Sequence, residues 1–182
     1  MTNTTRAKWA SMTVNDMEWH FNPRHTVSDS ARYAEARLER NQNALAQRQA
    51  DIRYGDQSMQ DLDIYPVASK SNLAPVHVFI HGGYWRSRVK EDFAFIGPAL
   101  NRHGILVVVI NYPLCPAVTL DVVVASARLA MDWVRREIRA YGGDPERISL
   151  SGHSSGAHLG AAILAQDSAN EGVAVCNLRG VV

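Results

Sequence analysis

Cysteine is scarce in this sequence: Cys115 and Cys176 are the two among 182 residues. Neither belongs to a C-x-x-C pair or stands at ligand spacing from a histidine, which excludes a zinc motif and a disulfide framework, so both are expected as buried free thiols. An excess of one charge is missing as well. The 19 basic and 18 acidic residues leave a formal net charge of +1, and their mixing along the chain excludes the basic face that nucleic acid or an anionic membrane surface would need. The expected partner is a small neutral or amphiphilic molecule, with no nucleic acid and no membrane, and a homo-oligomer is left open. No run of ~18 apolar residues marks a membrane span, and "MTNTTRAKWASMTVNDMEWH" at the start lacks the apolar centre of a signal peptide. A cytoplasmic protein is expected.

What the chain does contain is enough apolar residue, 46% against 20% charged, to bury a core. Residues 1–50 read as an irregular arm and a solvated surface helix belonging to the same domain as residues 51–182. That helix covers "SDSARYAEARLERNQNALAQRQA", with Ser28 or Asp29 as its cap. Short strands are expected around Tyr54-Gly55 and at "LDIYP". "VHVFI" (76–80) and "ILVVVI" (105–110) are nearly continuous apolar runs, as strands covered on both faces must be. Between them "KEDFAFIGPALNRHG" reads as a helix closed by Gly104, with Pro98 as a break or kink.

Val123, Ala127, Ala130, Val134, Ile138 and Tyr141 recur at helical intervals, and Gly142-Gly143 ends that helix. "RISLS" (147–151) is the next strand, "GAHLGAAILAQ" a helix apolar almost all round and so expected to be buried, and "LRGVV" begins another strand. Strands alternating with helices imply a mostly parallel sheet with helices on both faces. Ligands of such sheets bind beyond the carboxyl ends of the strands.

Two motifs fall at such ends. Gly152-His153-Ser154-Ser155-Gly156 fits G-x-S-x-G directly after a strand and directly before a helix. There a sharp turn lifts a serine hydroxyl clear of the sheet, and the helix start supplies N–H groups for developing negative charge. Ser154 is the candidate nucleophile. His81-Gly82-Gly83-Tyr84-Trp85 follows "VHVFI", and its two glycines let the backbone aim N–H groups at a ligand oxygen, as an oxyanion hole requires.

"HGGYWR" and "GHSSGAHL", with "LDIYP", "NYPLCPAVTL" and "FNPR", resemble the α/β-hydrolase fold, and within it the arylformamidase (kynurenine formamidase) group and its bacterial esterase relatives. The resemblance runs from about Trp19 to Val182. It implies hydrolysis of an N-formyl aryl amide, or of a small aryl or acyl ester, with no cofactor and no metal. Ser154 matches the nucleophile, with oxyanion donors on the backbone of Ser155 and of the Gly82-Gly83-Tyr84 segment. Tyr84 and Trp85 are candidates for an aromatic pocket, a core role for Trp85 standing equally open.

In this fold the triad runs serine, acid, histidine. After Ser154 come Asp167, Glu171 and His158, and none fits: His158 lies one helical turn on, and its order relative to the acids is wrong. It is expected to make a local hydrogen bond. His153 is expected to point away from the serine hydroxyl, His77 and His103 to be structural, and His81 to hold the oxyanion loop by hydrogen bonding. His20 and His25 lie in the arm. The chain is therefore read as the N-terminal portion of a hydrolase whose remaining strands and helices carry acid and base, and is expected to be inactive alone. A general short-chain carboxylesterase and a non-catalytic binding protein of the same fold remain as alternatives.

Overall fold

The computed structural model describes residues 8–22, 29–67, 72–169 and 178–181. Two compact units divide the chain, Met1–Arg37 and Leu38–Val182. In the first, helix α1 (Val14–Phe21) starts at Thr13. The Thr13 hydroxyl oxygen accepts the Asp16 N–H while the Asp16 carboxylate accepts the Thr13 N–H, a reciprocal cap that satisfies two of the donors a helix start leaves unpaired. Helix α2 (Ser30–Leu45) begins directly after Asp29; Ser28 and His25 lie outside the described residues.

The second unit is built on six strands: β1 (Gln49–Arg53), β2 (Asp61–Tyr65), β3 (Ala74–Ile80), β4 (Leu106–Ile110), β5 (Gly143–Gly152) and β6 (Leu178–Val181). They lie in the order β1-β2-β4-β3-β5-β6. β3 pairs in parallel with β4 and β5, and β5 with β6, whereas β1–β2 and β2–β4 are antiparallel. The antiparallel edge arises where no helix intervenes between strands, since a short connection can only reverse the chain. The chain steps from β3 to β4 on one side and then to β5 on the other, so strand order reverses at β3. A crevice opens beyond the carboxyl ends at such a switch point.

Both faces are covered. One carries α4 (Leu120–Glu137) and α5 (Ser155–Ala169), which pack on Val76, Val78, Ile80, Leu106, Val108, Ile110, Ile148 and Leu150. The stripe expected from periodicity packs over most of its length: Val123, Ala127, Ala130 and Val134 of α4 are fully buried, as is Ile138, but the α-helix ends at Glu137 and a 3-10 turn carries Ile138 and the partly buried Tyr141 up to Gly142. The opposite face, with Tyr65, Phe79, Val107 and Val109, is covered by Ala44 and Leu45 at the end of α2, which belong to this second unit, and by α3 (Ile96–Asn101). Asn41 on α2 is buried there because both ends of its amide are used: Nδ2 donates to the Asp92 carbonyl and Oδ1 accepts the Phe95 N–H.

Three local expectations need correction. The segment after Lys90 is no continuous helix: a 3-10 turn over Lys90–Phe93 precedes the short α3, because the chain must turn out of the loop before Pro98 allows a helical first turn. Helix α5 is not buried all round; Leu159, Gly160 and Ile163 face the core, while Ala157, His158, Ala161 and Ala165 are exposed. Alanine is simply too small to demand burial. Cys115 is a free thiol but only half-buried, and Cys176 lies outside the described residues.

Candidate active site

β5 stops at Gly152 and α5 starts at Ser155. The residue between them that bears the candidate hydroxyl, Ser154, has φ 53°, a left-handed conformation that costs a non-glycine residue about 1–3 kcal/mol. The backbone around and beneath it enforces it. The His153 carbonyl already accepts the Gly156 N–H and the Ser154 carbonyl the Ala157 N–H, both at 2.9 Å. A Cβ at Gly156 would fall on the Ile80 carbonyl and lie 2.7 Å from the His81 carbonyl oxygen, so only glycine lets helix and strand approach this closely. The turn leaves Ser154 exposed, and no acceptor among the described residues takes the Ser155 N–H.

The segment after β3 coils tightly beside this serine. Arg86 and Ser87 N–H groups both donate to the Gly83 carbonyl, at 3.0 and 3.1 Å, and Gly83, Tyr84, Trp85 and Arg88 all have positive φ, of 125°, 57°, 57° and 78°. A Cβ on Gly82 would stand 2.6 Å from the His153 carbonyl oxygen and 3.2 Å from Ser154 Cβ. The loop backbone thus lies directly against the elbow. The Trp85 N–H donates to Ser155 Oγ in a long bond of 3.4 Å, whereas no described acceptor takes the N–H groups of Gly82, Gly83 or Tyr84. A Gly82–Tyr84 segment and a Ser155 amide with unused donors therefore flank the hydroxyl of Ser154.

His81 makes a hydrogen bond at the start of this loop. It is fully buried, stacks on Tyr112 with ring centroids 4.3 Å apart, and its Nδ1 lies 2.8 Å from the Gly82 carbonyl oxygen. A carbonyl only accepts, so Nδ1 carries the hydrogen. Burial pushes its pKa down to about 4, against the opposing effect of that hydrogen bond and of Asp92 and Glu91. Tyr112 completes the arrangement: its hydroxyl donates to the His81 carbonyl at 2.7 Å, and burial raises that phenol to about 12 despite a hydrogen bond with Ser155.

The aromatic residues expected at the pocket divide. Tyr84 is 73% exposed. Trp85 is partly buried against the core and meets Tyr84 at 5.4 Å and His158 edge-on at 5.2 Å between ring centroids. His158 thus makes a ring contact in place of the expected hydrogen bond, because its position one turn into α5 aims it at the indole. His153 is exposed, with its ring 5.9 Å from Phe93. His77 is structural, its two ring nitrogens bridging Ser149 Oγ and Ser151 Oγ at 2.8 and 2.7 Å. His103 sits next to the Arg102 guanidinium at a helix end. Among the described residues no histidine or carboxylate is hydrogen-bonded to Ser154 Oγ. Asp167 lies in α5, and Glu171 falls outside the described residues.

One group the sequence reading missed stands at the far end of the loop. Lys90 is 2% exposed, and its Nζ lies 2.6 Å from Glu91, 2.7 Å from Asp51, 3.0 Å from Asp61 and 3.4 Å from Asp63. Arg48 Nε closes the other side of Asp63 at 2.6 Å. Burial by itself pulls the Lys90 pKa down, but hydrogen bonds to Asp51, Glu91 and Asp61 and the charge of Asp63 outweigh it and the net direction is up. The Lys90 hydrogen bond holds Asp51 below the ordinary carboxylate range. Asp51, Asp63 and Glu91 could by spacing hold a cation; here the lysine ammonium serves as that cation. "DLDIY", two aspartates at alternate positions of an apolar strand, was the available signal, since both must face one side and need a countercharge there.

A mixed sheet reversing at β3, a serine on a left-handed strand-to-helix elbow and a glycine loop against it define the α/β-hydrolase fold. A solved esterase B from Lactobacillus rhamnosis shares it, with a TM-score of 0.65 and 24% identity over 83% of this chain and 54% of that one. The chain belongs to the BD-FAE family, which matches residues 62–174. It is 31% identical to a kynurenine formamidase of Salmo salar, over 88% of this chain and 56% of that protein. It is also 37% identical to an isoprenylcysteine alpha-carbonyl methylesterase of Arabidopsis thaliana, over 66% of this chain and 28% of the relative. The chain spans about half the length of the kynurenine formamidases it matches.

Proposed function

We propose that this chain carries the nucleophile and oxyanion hole of a serine hydrolase that cleaves N-formyl aryl amides. The observation that carries the reading is Ser154 held at φ 53° against a loop whose Gly82, Gly83 and Tyr84 N–H groups are unused. Ser154 Oγ attacks the formyl carbon, and the oxyanion formed is held by the Ser155 N–H and N–H groups of the 82–84 segment. The carbon–nitrogen bond then breaks with protonation of the departing arylamine, and water hydrolyses the formyl ester on Ser154. The Tyr84, Trp85 and His158 rings offer an aryl leaving group an apolar wall, and the likeness to kynurenine formamidases supports the formyl amide. The methylesterase likeness supports a second reading, a short-chain carboxylic ester at the same serine.

Because no described imidazole is hydrogen-bonded to Ser154, the 182-residue chain by itself is expected to turn over negligibly. The test is made on the protein as the cell produces it, comparing an N-formyl anilide with a p-nitrophenyl ester. Ser154→Ala is expected to lower kcat about a thousandfold or more for the preferred substrate. Hydrolysis that survives this substitution would overturn the serine mechanism, and a p-nitrophenyl ester preferred over every formyl amide would move the assignment to the second reading.

A further inference from the structure

We infer that Lys90 is a positioning residue for the oxyanion loop, acting through Asn111 and the carboxylate cage formed by β1, β2 and Glu91. The inference rests on the hydrolase reading above and concerns what keeps the loop in its reactive shape.

Three non-glycine residues at positive φ, Tyr84, Trp85 and Arg88, make this loop a strained backbone, and strain of that kind persists only where the surroundings over-determine it. The surroundings here are two consecutive residues at the end of β4. Tyr112 takes the start of the loop, its hydroxyl donating to the His81 carbonyl. Asn111 takes the end, its Oδ1 accepting the Lys90 N–H at 2.8 Å. Asn111 is itself immobilised: Nδ2 donates to Asp61 Oδ1 at 3.0 Å, its N–H donates to the Asp61 carbonyl at 2.9 Å, and its own carbonyl accepts the Tyr54 hydroxyl at 2.8 Å.

The Lys90 side chain returns to the same aspartate, since Nζ meets Asp61 Oδ1. Backbone N–H, Asn111 amide, Asp61 carboxylate and Lys90 ammonium therefore close a ring that fixes where the loop ends. Such a ring resists displacement better than one bond, because each group is held by two others. Removing the ammonium leaves Asp51, Asp61, Asp63 and Glu91 facing one another, and their repulsion would push β1, β2 and the 3-10 turn apart at the point where the loop is anchored.

Loss of the anchor should be felt in the transition state more than in the ground state, because the N–H groups of 82–84 are needed once charge has moved onto the oxygen. Lys90→Met and Asn111→Ser are compared with wild type on the protein as the cell produces it, below each variant's melting temperature and per folded molecule. Asn111→Ser keeps every charge of the cage and decides the matter should Lys90→Met fail to fold. The expected result is a kcat about ten- to a hundredfold lower with KM within about twofold of wild type, the signature of an interaction made in the transition state. Lowered melting temperatures with kcat per folded molecule unchanged would overturn the inference and leave the cage a purely structural device. Wild-type activity that does not depend on Ser154 would instead overturn the hydrolase reading, and this inference with it.

Discussion

At the scale of single residues, the site is governed by groups whose state is set by burial. His81 is the clearest. Its folded pKa lies near 4, whereas the unfolded imidazole titrates near 6.5, so on acidification the unfolded chain binds this proton first. The stability that neutral His81 contributes is fully present above about pH 6.5 and is lost as pH falls towards 4, a loss of about 3 kcal/mol. His77, also pushed down by burial, works in the same direction. Melting temperatures measured from pH 7 to pH 4.5 are expected to fall for wild type and to fall less for His81→Gln. Equal falls in both would assign the acid sensitivity to other groups. The turn at Ser154, by contrast, was legible from its neighbours alone: glycines on either side of H-S-S suit a turn where strand and helix nearly touch.

Among the elements, periodicity was informative where one face is buried and uninformative where burial is divided. In α4 the stripe read from the sequence is the stripe that packs, and Ile138, fully buried in the 3-10 turn that follows, lies against the core near Val76 and Gly143. Ile138→Ala is expected to destabilise the fold by about 2–5 kcal/mol. Arg136→Ala, on the exposed side, should stay within about 0.5 kcal/mol. Urea titration of both variants checks this, and similar losses in the two would mean that the stripe does not carry the packing. α5 shows the opposite case. Its run of alanines carries no strong preference for either face, and the sheet beneath it decided which side was covered. The segment from Lys90 to Asn101 was hidden for another reason: its first residues serve the loop and the cage, and a helix begins only once those obligations end.

Across the whole chain charge is nearly balanced, and among the described residues a dense cluster of it is consumed internally by Lys90, Arg48 and their carboxylates. No helix among the described residues is long and apolar enough to cross a membrane. With a net charge of +1 on these 182 residues and a neutral formyl amide as the proposed substrate, this chain supplies little field to steer association. Raising salt from about 0.05 to 0.5 M should therefore change kcat/KM less than about twofold. A strong salt dependence would point to a charged substrate and count against the formyl anilide class.

The sequence by itself determined the strands β3 and β4, the helix α4, and the two motifs that meet at the candidate site, because each is written in consecutive residues or in a single period. The order of the strands, the antiparallel edge and the meeting of Gly82 with Ser154 were decided by the tertiary structure, which brings β3 and β5 side by side across some 70 residues of chain. So was the cage. Lys90 finds Asp51, Asp61 and Asp63 because β1, β2 and β4 pair in one sheet. A buried ammonium is tolerable only where several carboxylates converge on it, a condition that no local pattern can express.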